Sequence, residues 1–159
     1  VPELNLAWTV TNQAPLERVL RRANGKPILI FQPPKIVNGE EQELYNPRAD
    51  DFNRWLDGRA DHFRVKVGHP SAAQEFRDSP CELNLFNKTS VKEMLDLATI
   101  GDLFFSQVCF IPTLAESLDK RSVCMFTRRQ LSAKSNKVRN LTPEVFLHKR
   151  HLHEVVYVD

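Results

Sequence analysis

Three different hydrophobic patterns follow one another along the first part of the chain. Leu4–Val10 (LNLAWTV) alternates apolar and polar residues, the period-2 pattern of a strand. From Pro15 the spacing changes: Leu16, Val19 and Leu20 recur at helical intervals until Asn24-Gly25 stops the run. Proline at the opening position suits a first helical turn, whose N–H groups have no partner within the helix. Pro27–Phe31 (PILIF) is then a short continuous apolar run, as expected of a strand buried on both faces. Strand, helix and buried strand in this order compose a βαβ unit.

Residues 32–47 (QPPKIVNGEEQELYNP) break the pattern with three prolines and an Asn-Gly, and read as a long polar loop. Ala49–Asp57 is a short helix presenting Phe52, Trp55 and Leu56, ended by Gly58. His62–Val67 alternates, with Phe63, Val65 and Val67 on one face. Ser71 opens a short helix through Arg77, and Pro80 precedes a strand-like ELNLF. Ser90 and Glu93 match a capping box, so a helix with Val91, Met94, Leu95, Leu97 and Ala98 begins there. Asp102–Ile111 is the most apolar segment and reads as a core strand or a buried helix. Thr113–Lys120 is helix-like and Val123–Thr127 strand-like. Residues 128–141 lack periodicity and read as an exposed basic loop or arm. Thr142-Pro143-Glu144 starts a last helix closed by Lys149, Arg150 and His151, and His153–Val158 is a closing strand.

With no internal repeat or linker, these elements predict a single α/β (mixed α+β) domain over residues 1–159. It would hold a mixed β-sheet flanked by short helices, with its strand order undetermined. A chain of 159 residues with 42% hydrophobic content and ten Phe is sufficient for a packed core. No apolar stretch reaches the ~20 residues that span a bilayer, so no membrane partner is expected. The three cysteines, Cys81, Cys109 and Cys124, show no CxxC spacing and imply free thiols in a reducing compartment, cytoplasmic or nuclear. The first residues lack a signal peptide's basic region and the chain has no initiating Met, so a processed chain or a piece of a longer one is expected.

Charge changes the picture more than composition does. Of 22 Lys/Arg and 20 Asp/Glu, residues 1–119 hold 13 and 17 (net −4), leaving 9 and 3 (net +6) in residues 120–159. The basic end includes Arg128, Arg129, Lys134, Lys137, Arg139, Lys149 and Arg150, interleaved with Ser132, Ser135, Asn136 and Asn140. Guanidinium and ammonium groups among small polar residues form phosphate-contacting surfaces. Nucleic acid, DNA or RNA, is therefore the first partner expected. A solvated face and, for His148–Arg150, a helix-dipole complement account for the same charges.

Other constellations point elsewhere. His151 and His153 project to one face if they begin a strand, and could share a divalent metal with a carboxylate. The pair resembles the His-hydrophobic-His of single-strand nicking endonucleases, but the downstream catalytic Tyr is missing: the only Tyr that follows, Tyr157, lies on the same strand. Glu82, Leu83, Asn84, Leu85 and Phe86 resemble the Gln-Leu-Ser/Asp-Leu-Phe peptide by which bacterial replication and repair proteins dock on the sliding clamp, with Glu82 replacing the Gln. That resemblance implies a sliding-clamp contact; a short buried strand explains the same residues. The carboxylates Asp50, Asp51, Asp57, Asp61, Glu75, Asp78 and Glu82 match no nuclease pattern, and no glycine-rich phosphate loop is present.

The expectation that results is a non-enzymatic nucleic-acid-associated domain with a basic C-terminal face, no cofactor and no catalytic residue. The alternatives are a protein-interaction or assembly module using the 32–47 loop and the Trp55 helix, and a metal-dependent nuclease or phosphoesterase using His151 and His153. Replacing both histidines by Ala is expected to leave the fold intact.

Overall fold

The computed structural model describes residues 6–34, 44, 46–68, 76–134 and 136–159. Among them a six-stranded sheet forms the centre: β1 (Ile28–Gln32), β2 (Phe63–Lys66), β3 (Leu83–Asn84), β4 (Leu103–Ser106), β5 (Arg121–Thr127) and β6 (His153–Val158). The strand order is β3-β2-β1-β4-β5-β6. All five pairings are parallel, from Ile28 opposite Phe63 to Thr127 opposite Val158. The α/β class read from the sequence holds, and the expected mixed sheet is an all-parallel one. An all-parallel sheet must be covered on both faces, because its crossovers put helices there.

The helices do this unequally. α1 (Gln13–Ala23), α3 (Val91–Ile100) and α4 (Phe110–Ser117) cover one face, where Val19, Leu97, Ala98, Ile111 and Leu114 pack on Ile28, Ile30, Val65 and Phe104. α2 (Ala49–Asp57) covers the other, where Phe52 and Leu56 meet Leu29, Phe31, Phe105, Val123 and Met125. Short helical turns at Arg128–Ser132, α5 (Asn136–Arg139), α6 (Pro143–Phe146) and Arg150–Leu152 fill the crossover from β5 to β6. Ile28, Leu29, Ile30 and Phe31 are at most 1% exposed, so β1 is buried on both faces as its apolar run predicts.

Local signals set most boundaries. Asn12 caps α1 by accepting from Ala14 N–H, and Asn24 closes it in the left-handed region at φ 50°. α2 spans the expected residues, with Asp50 and Asp51 in its first turn. The Ser90–Glu93 capping box is present in both directions, Ser90 N–H donating to Glu93 Oε2 at 3.0 Å and Glu93 N–H to Ser90 Oγ at 3.2 Å.

Several expectations are corrected. The strand expected over Leu4–Val10 is absent in its described part, residues 6–10. Its neighbourhood is instead held by buried Asp96, which accepts from Trp8 Nε1, Thr11 N–H, Thr11 Oγ1 and Asn12 N–H. These donors hold the Asp96 carboxyl down at about 2. The apolar run 102–111 is neither strand nor helix alone: it is β4, a turn, and the start of α4. Helix α4 therefore starts at Phe110, three residues before the expected Thr113. The helix expected to run from Thr142 to His151 is cut to Pro143–Phe146. The arm expected at 128–141 packs inward in part, since Gln130 and Ala133 are 3% and 2% exposed. The helix expected to open at Ser71 lies outside the described residues except at its end, where Phe76 packs edge-on against Phe52 at 5.4 Å.

Gly101, between α3 and β4, marks the tightest approach. A Cβ there would lie 2.7 Å from Phe104 Cζ and 2.9 Å from Ile30 Cδ1, both in the core. Gly101→Ala is expected to lower stability by about 1–3 kcal/mol through overpacking. Denaturant unfolding should register this as a lower midpoint at unchanged slope; an unchanged midpoint would show that the core yields there.

Candidate functional site

The winding of the chain creates a concavity. After β1 the chain crosses one face through α2 to reach β2; after β4 it crosses the opposite face through α4 to reach β5. At such a reversal the connections leaving adjacent strands diverge, and a crevice opens beyond their carboxyl ends. A pocket of about 330 Å³ lies at this edge, lined by Gln32, Val67, Gly68, Thr89, Ser90, Val91, Met94 and Phe110. Gln32 ends β1, Val67 and Gly68 directly follow β2, Thr89–Met94 enter α3, and Phe110 opens α4.

Each lining residue has a local reason for its place. Val67 N–H donates to Phe31 O at 2.9 Å and Asn87 N–H to Gly68 O at 2.8 Å, extending the ladder beyond β2. Gly68 has φ 147°, and a Cβ there would stand 3.1 Å from the Phe86 ring. A side chain would thus be strained and would push on the crevice wall. Val91 and Phe110 are 76% and 54% exposed, an unusual degree for apolar residues that flank one pocket. Two helix N-termini meet here, and both are already modulated. Glu93 neutralises part of the α3 dipole; at α4, Cys109 Sγ accepts Ile111 N–H at 3.4 Å and Pro112 contributes no donor. One residue past β4, Gln107 is 4% exposed and its Oε1 has no hydrogen-bond partner among the described residues.

Lys66, the last residue of β2, is buried beside this edge. Its ammonium donates to Phe76 O at 2.7 Å and Arg77 O at 2.8 Å and lies 5.4 Å from the Phe86 ring centroid. Burial lowers its pKa. Cys81 is half-buried and its thiol is pushed up by burial, whereas Cys124 is fully buried and pushed up further.

Four of the cations singled out in the sequence, Arg128, Arg129, Arg139 and Lys149, are engaged by separate local partners. Lys149 is 6% exposed; its Nζ donates to Asp119 Oδ1 at 2.7 Å and Glu116 O at 3.2 Å. Arg139 turns back on Ala133 O, Lys134 O and Asn136 Oδ1. Arg129 Nη2 donates to Asn46 O at 2.9 Å, and Arg128 lies over the Tyr157 ring and 3.9 Å from Asp159. Lys134 and Arg150 are exposed on separate turns, and Lys137 lies on α5.

His151 and His153 do not act as a pair. His151 is exposed on the 150–152 turn, whereas the His153 side chain is 0% exposed at the start of β6. Glu116 Oε2 faces His153 Nε2 at 2.6 Å, so Nε2 carries the proton and Nδ1 accepts from Ser122 Oγ. The same carboxylate oxygen accepts His148 and Lys149 N–H at 2.9 and 3.0 Å. Among the described residues no group of three His, Cys, Asp or Glu is placed to hold a metal. The clamp-like peptide is built into the sheet: Leu83–Asn84 is β3, Glu82 forms a 2.8 Å ion pair with Arg64, and Leu83 and Leu85 pack on the core. Trp55 is stacked on Phe105 at 3.9 Å with Arg59 over its ring, so the aromatic side of α2 faces inward. Of the 32–47 loop, residues 35–43 and 45 lie outside the described residues.

No family model matches the sequence, and no curated protein matches it. Solved structures do match. A glycosyl transferase of family 9 from Veillonella parvula superposes on 97% of this chain with a TM-score of 0.67 at 13% identity. The likeness is one of fold. The chain spans 43% of that enzyme's length. A UDP-forming alpha,alpha-trehalose-phosphate synthase from Burkholderia xenovorans overlaps 73% of the chain and 33% of its own at 14% identity, with a TM-score of 0.46.

This likeness overturns the reading of a nucleic-acid-associated, DNA-binding domain. Clustering of charge in sequence suggested a phosphate-binding face, yet Arg139 serves carbonyl groups of its own crossover and Lys149 serves Asp119 and the Glu116 carbonyl of the preceding one. The lining that sequence reasoning missed (Gln32, Gly68, Val91, Phe110) carries no charge and no motif; only strand order would have exposed it. No helix among the described residues is long and apolar enough to cross a membrane.

Burial lowers the pKa of His153, against the opposing pull of Glu116, with Arg150 and His151 adding to the lowering. Depression below the unfolded value of 6.5 means that its contribution to stability is complete above that pH. It is lost as pH falls below it, where the unfolded chain takes up the proton first. His153→Ala should also remove the imidazole partner of Ser122 and one of the three donors on Glu116, which keeps the His148 and Lys149 N–H groups, at about 1–3 kcal/mol in all, while His151→Ala should be neutral. Thermal melts from pH 8 to 5 check both: equal losses for the two substitutions would contradict the placement of His153.

Proposed function

We propose that this chain is the donor-holding domain of a glycosyl-transferring enzyme, and that it receives a sugar nucleotide in the crevice between α3 and α4. The observation that carries the reading is the sheet order β3-β2-β1-β4-β5-β6 with a pocket at its reversal. Doubly wound sheets take nucleotides at this position, because the diverging crossovers leave backbone and helix N-termini pointing at one opening. The glycosyl transferase superposition over 97% of the chain supports transfer of a sugar rather than another nucleotide chemistry.

The lining suits a ring more than a bare phosphate. Exposed Phe110 and Val91, with Met94 and Val67, offer an apolar wall for a base or sugar face. Gln32, Thr89 and Ser90 supply neutral hydrogen-bonding groups at its rim. Charge on the diphosphate falls to the N-terminal end of α4, whose dipole favours an anion, since Glu93 already offsets that of α3. The group that would activate an acceptor hydroxyl is not assigned to any residue of this chain.

Nucleoside diphosphates bearing each common base, and their sugar adducts, can be titrated into the chain and followed by ¹⁵N–¹H spectra. Saturable shifts at Gly68, Thr89–Met94 and Phe110 are expected for one of them. Val91→Asp and Phe110→Ser, both at exposed positions, should weaken it by about tenfold or more, the ~1.4 kcal/mol that each lost apolar contact represents. Shifts confined to another surface, or no saturation by any of the nucleotides, would overturn the assignment.

A further inference from the structure

A second pocket, of about 180 Å³, lies at the carboxyl ends of β5 and β6, separated from the donor crevice by β4. Its apolar walls are Phe126, Leu131, Pro143 and Tyr157. Leu131 and Tyr157 are 65% and 46% exposed, and the Tyr157 and Phe126 rings meet with centroids 6.2 Å apart. The volume is below the ~300 Å³ at which drug-sized sites begin, and matches a single ring with a short substituent.

Its polar content is one-sided. Gln130 lines the pocket at 3% exposure, and its Nε2 donates to Leu141 O. A flipped amide would set two carbonyl oxygens against each other, so the orientation is determined by Leu141. Gln130 Oε1 is then a buried acceptor with no partner among the described residues, a state that costs free energy while it persists. Glu144, at the mouth, adds a carboxylate, and Thr142 enters α6 without using its hydroxyl as a cap. Thr127 Oγ1 is already committed to Leu44 O. Acceptors thus dominate, and the Tyr157 ring already attracts a cation, the Arg128 guanidinium at 5.9 Å from its centroid.

We infer that this pocket is a binding site for a small flat ring bearing N–H donors, an amidine or an amino-heterocycle, neutral or cationic. The ring lies against Tyr157, Phe126 and Leu131 while its N–H groups reach Gln130 Oε1 and the Glu144 carboxylate. Anionic rings are excluded by Glu144. The site is independent of the donor crevice, and either can fail without the other.

Benzamidine tests this, since it carries the ring, the charge and the donors together. In titrations of the chain followed by NMR, saturable shifts are expected at the Gln130 side-chain amide, the Leu131 methyls and the Tyr157 ring. Benzyltrimethylammonium, with the same ring and charge but no N–H, should bind at least about tenfold more weakly, the worth of one charge-assisted hydrogen bond. Tyr157→Ala and Leu131→Ala sit at exposed positions and should each abolish saturation with the spectrum otherwise retained. Gln130→Leu should weaken benzamidine and leave the ammonium probe unchanged, and Gln130→Leu with Glu144→Gln should bring the two probes close together. Equal binding of the two probes would overturn the proposal by showing an apolar cleft alone. Shifts scattered away from these residues, or no saturation at all, would overturn it outright.

Discussion

Burial of β1 on both of its faces is the constraint from which the rest of this structure follows. Leu29 and Phe31 point to one side and Ile28 and Ile30 to the other, all at most 1% exposed. A strand of this kind has no polar face to give to water, so helices must be brought to both sides. α2 closes the side of Leu29 and Phe31, and α1, α3 and α4 close the side of Ile28 and Ile30. Covering both faces forces successive crossovers to opposite sides of the sheet. The divergence of the chain beyond β1 and β4, and with it the crevice, is the geometric result.

Electrostatics acts within this frame more as fastening than as display. Glu116, 5% exposed, accepts two backbone N–H groups from the β5–β6 crossover and faces His153 on the edge strand. Lys149 closes the same corner onto Asp119 and Glu116 O. Asp96 does the equivalent for the N-terminal segment, tying Trp8, Thr11 and Asn12 to α3. In each case one carboxylate satisfies several donors that would otherwise be buried without partners, and the loss of that satisfaction costs more than the ion pair gains. Members of a basic run in sequence can therefore be consumed by carbonyls and carboxylates of the fold itself, as Arg139 and Lys149 are.

The resemblance to a glycosyl transferase rests on shape at 13% identity, and folds of this kind host many chemistries. What ties the resemblance to a place on this molecule is the coincidence of the reversal point, two helix N-termini and an exposed apolar pair, Val91 and Phe110. None of the three is informative alone. Together they are what supports the proposed nucleotide site at one edge of the sheet, and the cleft between Tyr157 and Gln130 is a separate surface.

Features decided over a few residues were legible in the sequence. The PILIF run, the Ala49–Asp57 helix, the Ser90–Glu93 box and the closing strand His153–Val158 appear where local pattern put them, because each depends on periodicity and on caps within one turn. The N-terminal LNLAWTV run shows the limit: its alternation suits a strand, yet residues 6–10 join no ladder and the segment that follows is tied to Asp96. Tertiary structure alone decided strand order, and strand order decided the site. Gln32 and Phe110 lie 78 positions apart and meet only because β1 and β4 pair side by side, a choice made by burying apolar faces between distant segments. It also decided which charges face water, since Lys149 and Arg150 are adjacent in sequence but the first is buried and reaches Asp119 while the second is exposed. Sequence pattern records the propensity of each segment to form an element. Which elements become neighbours is set by the shared burial of their faces, and no single segment carries that information.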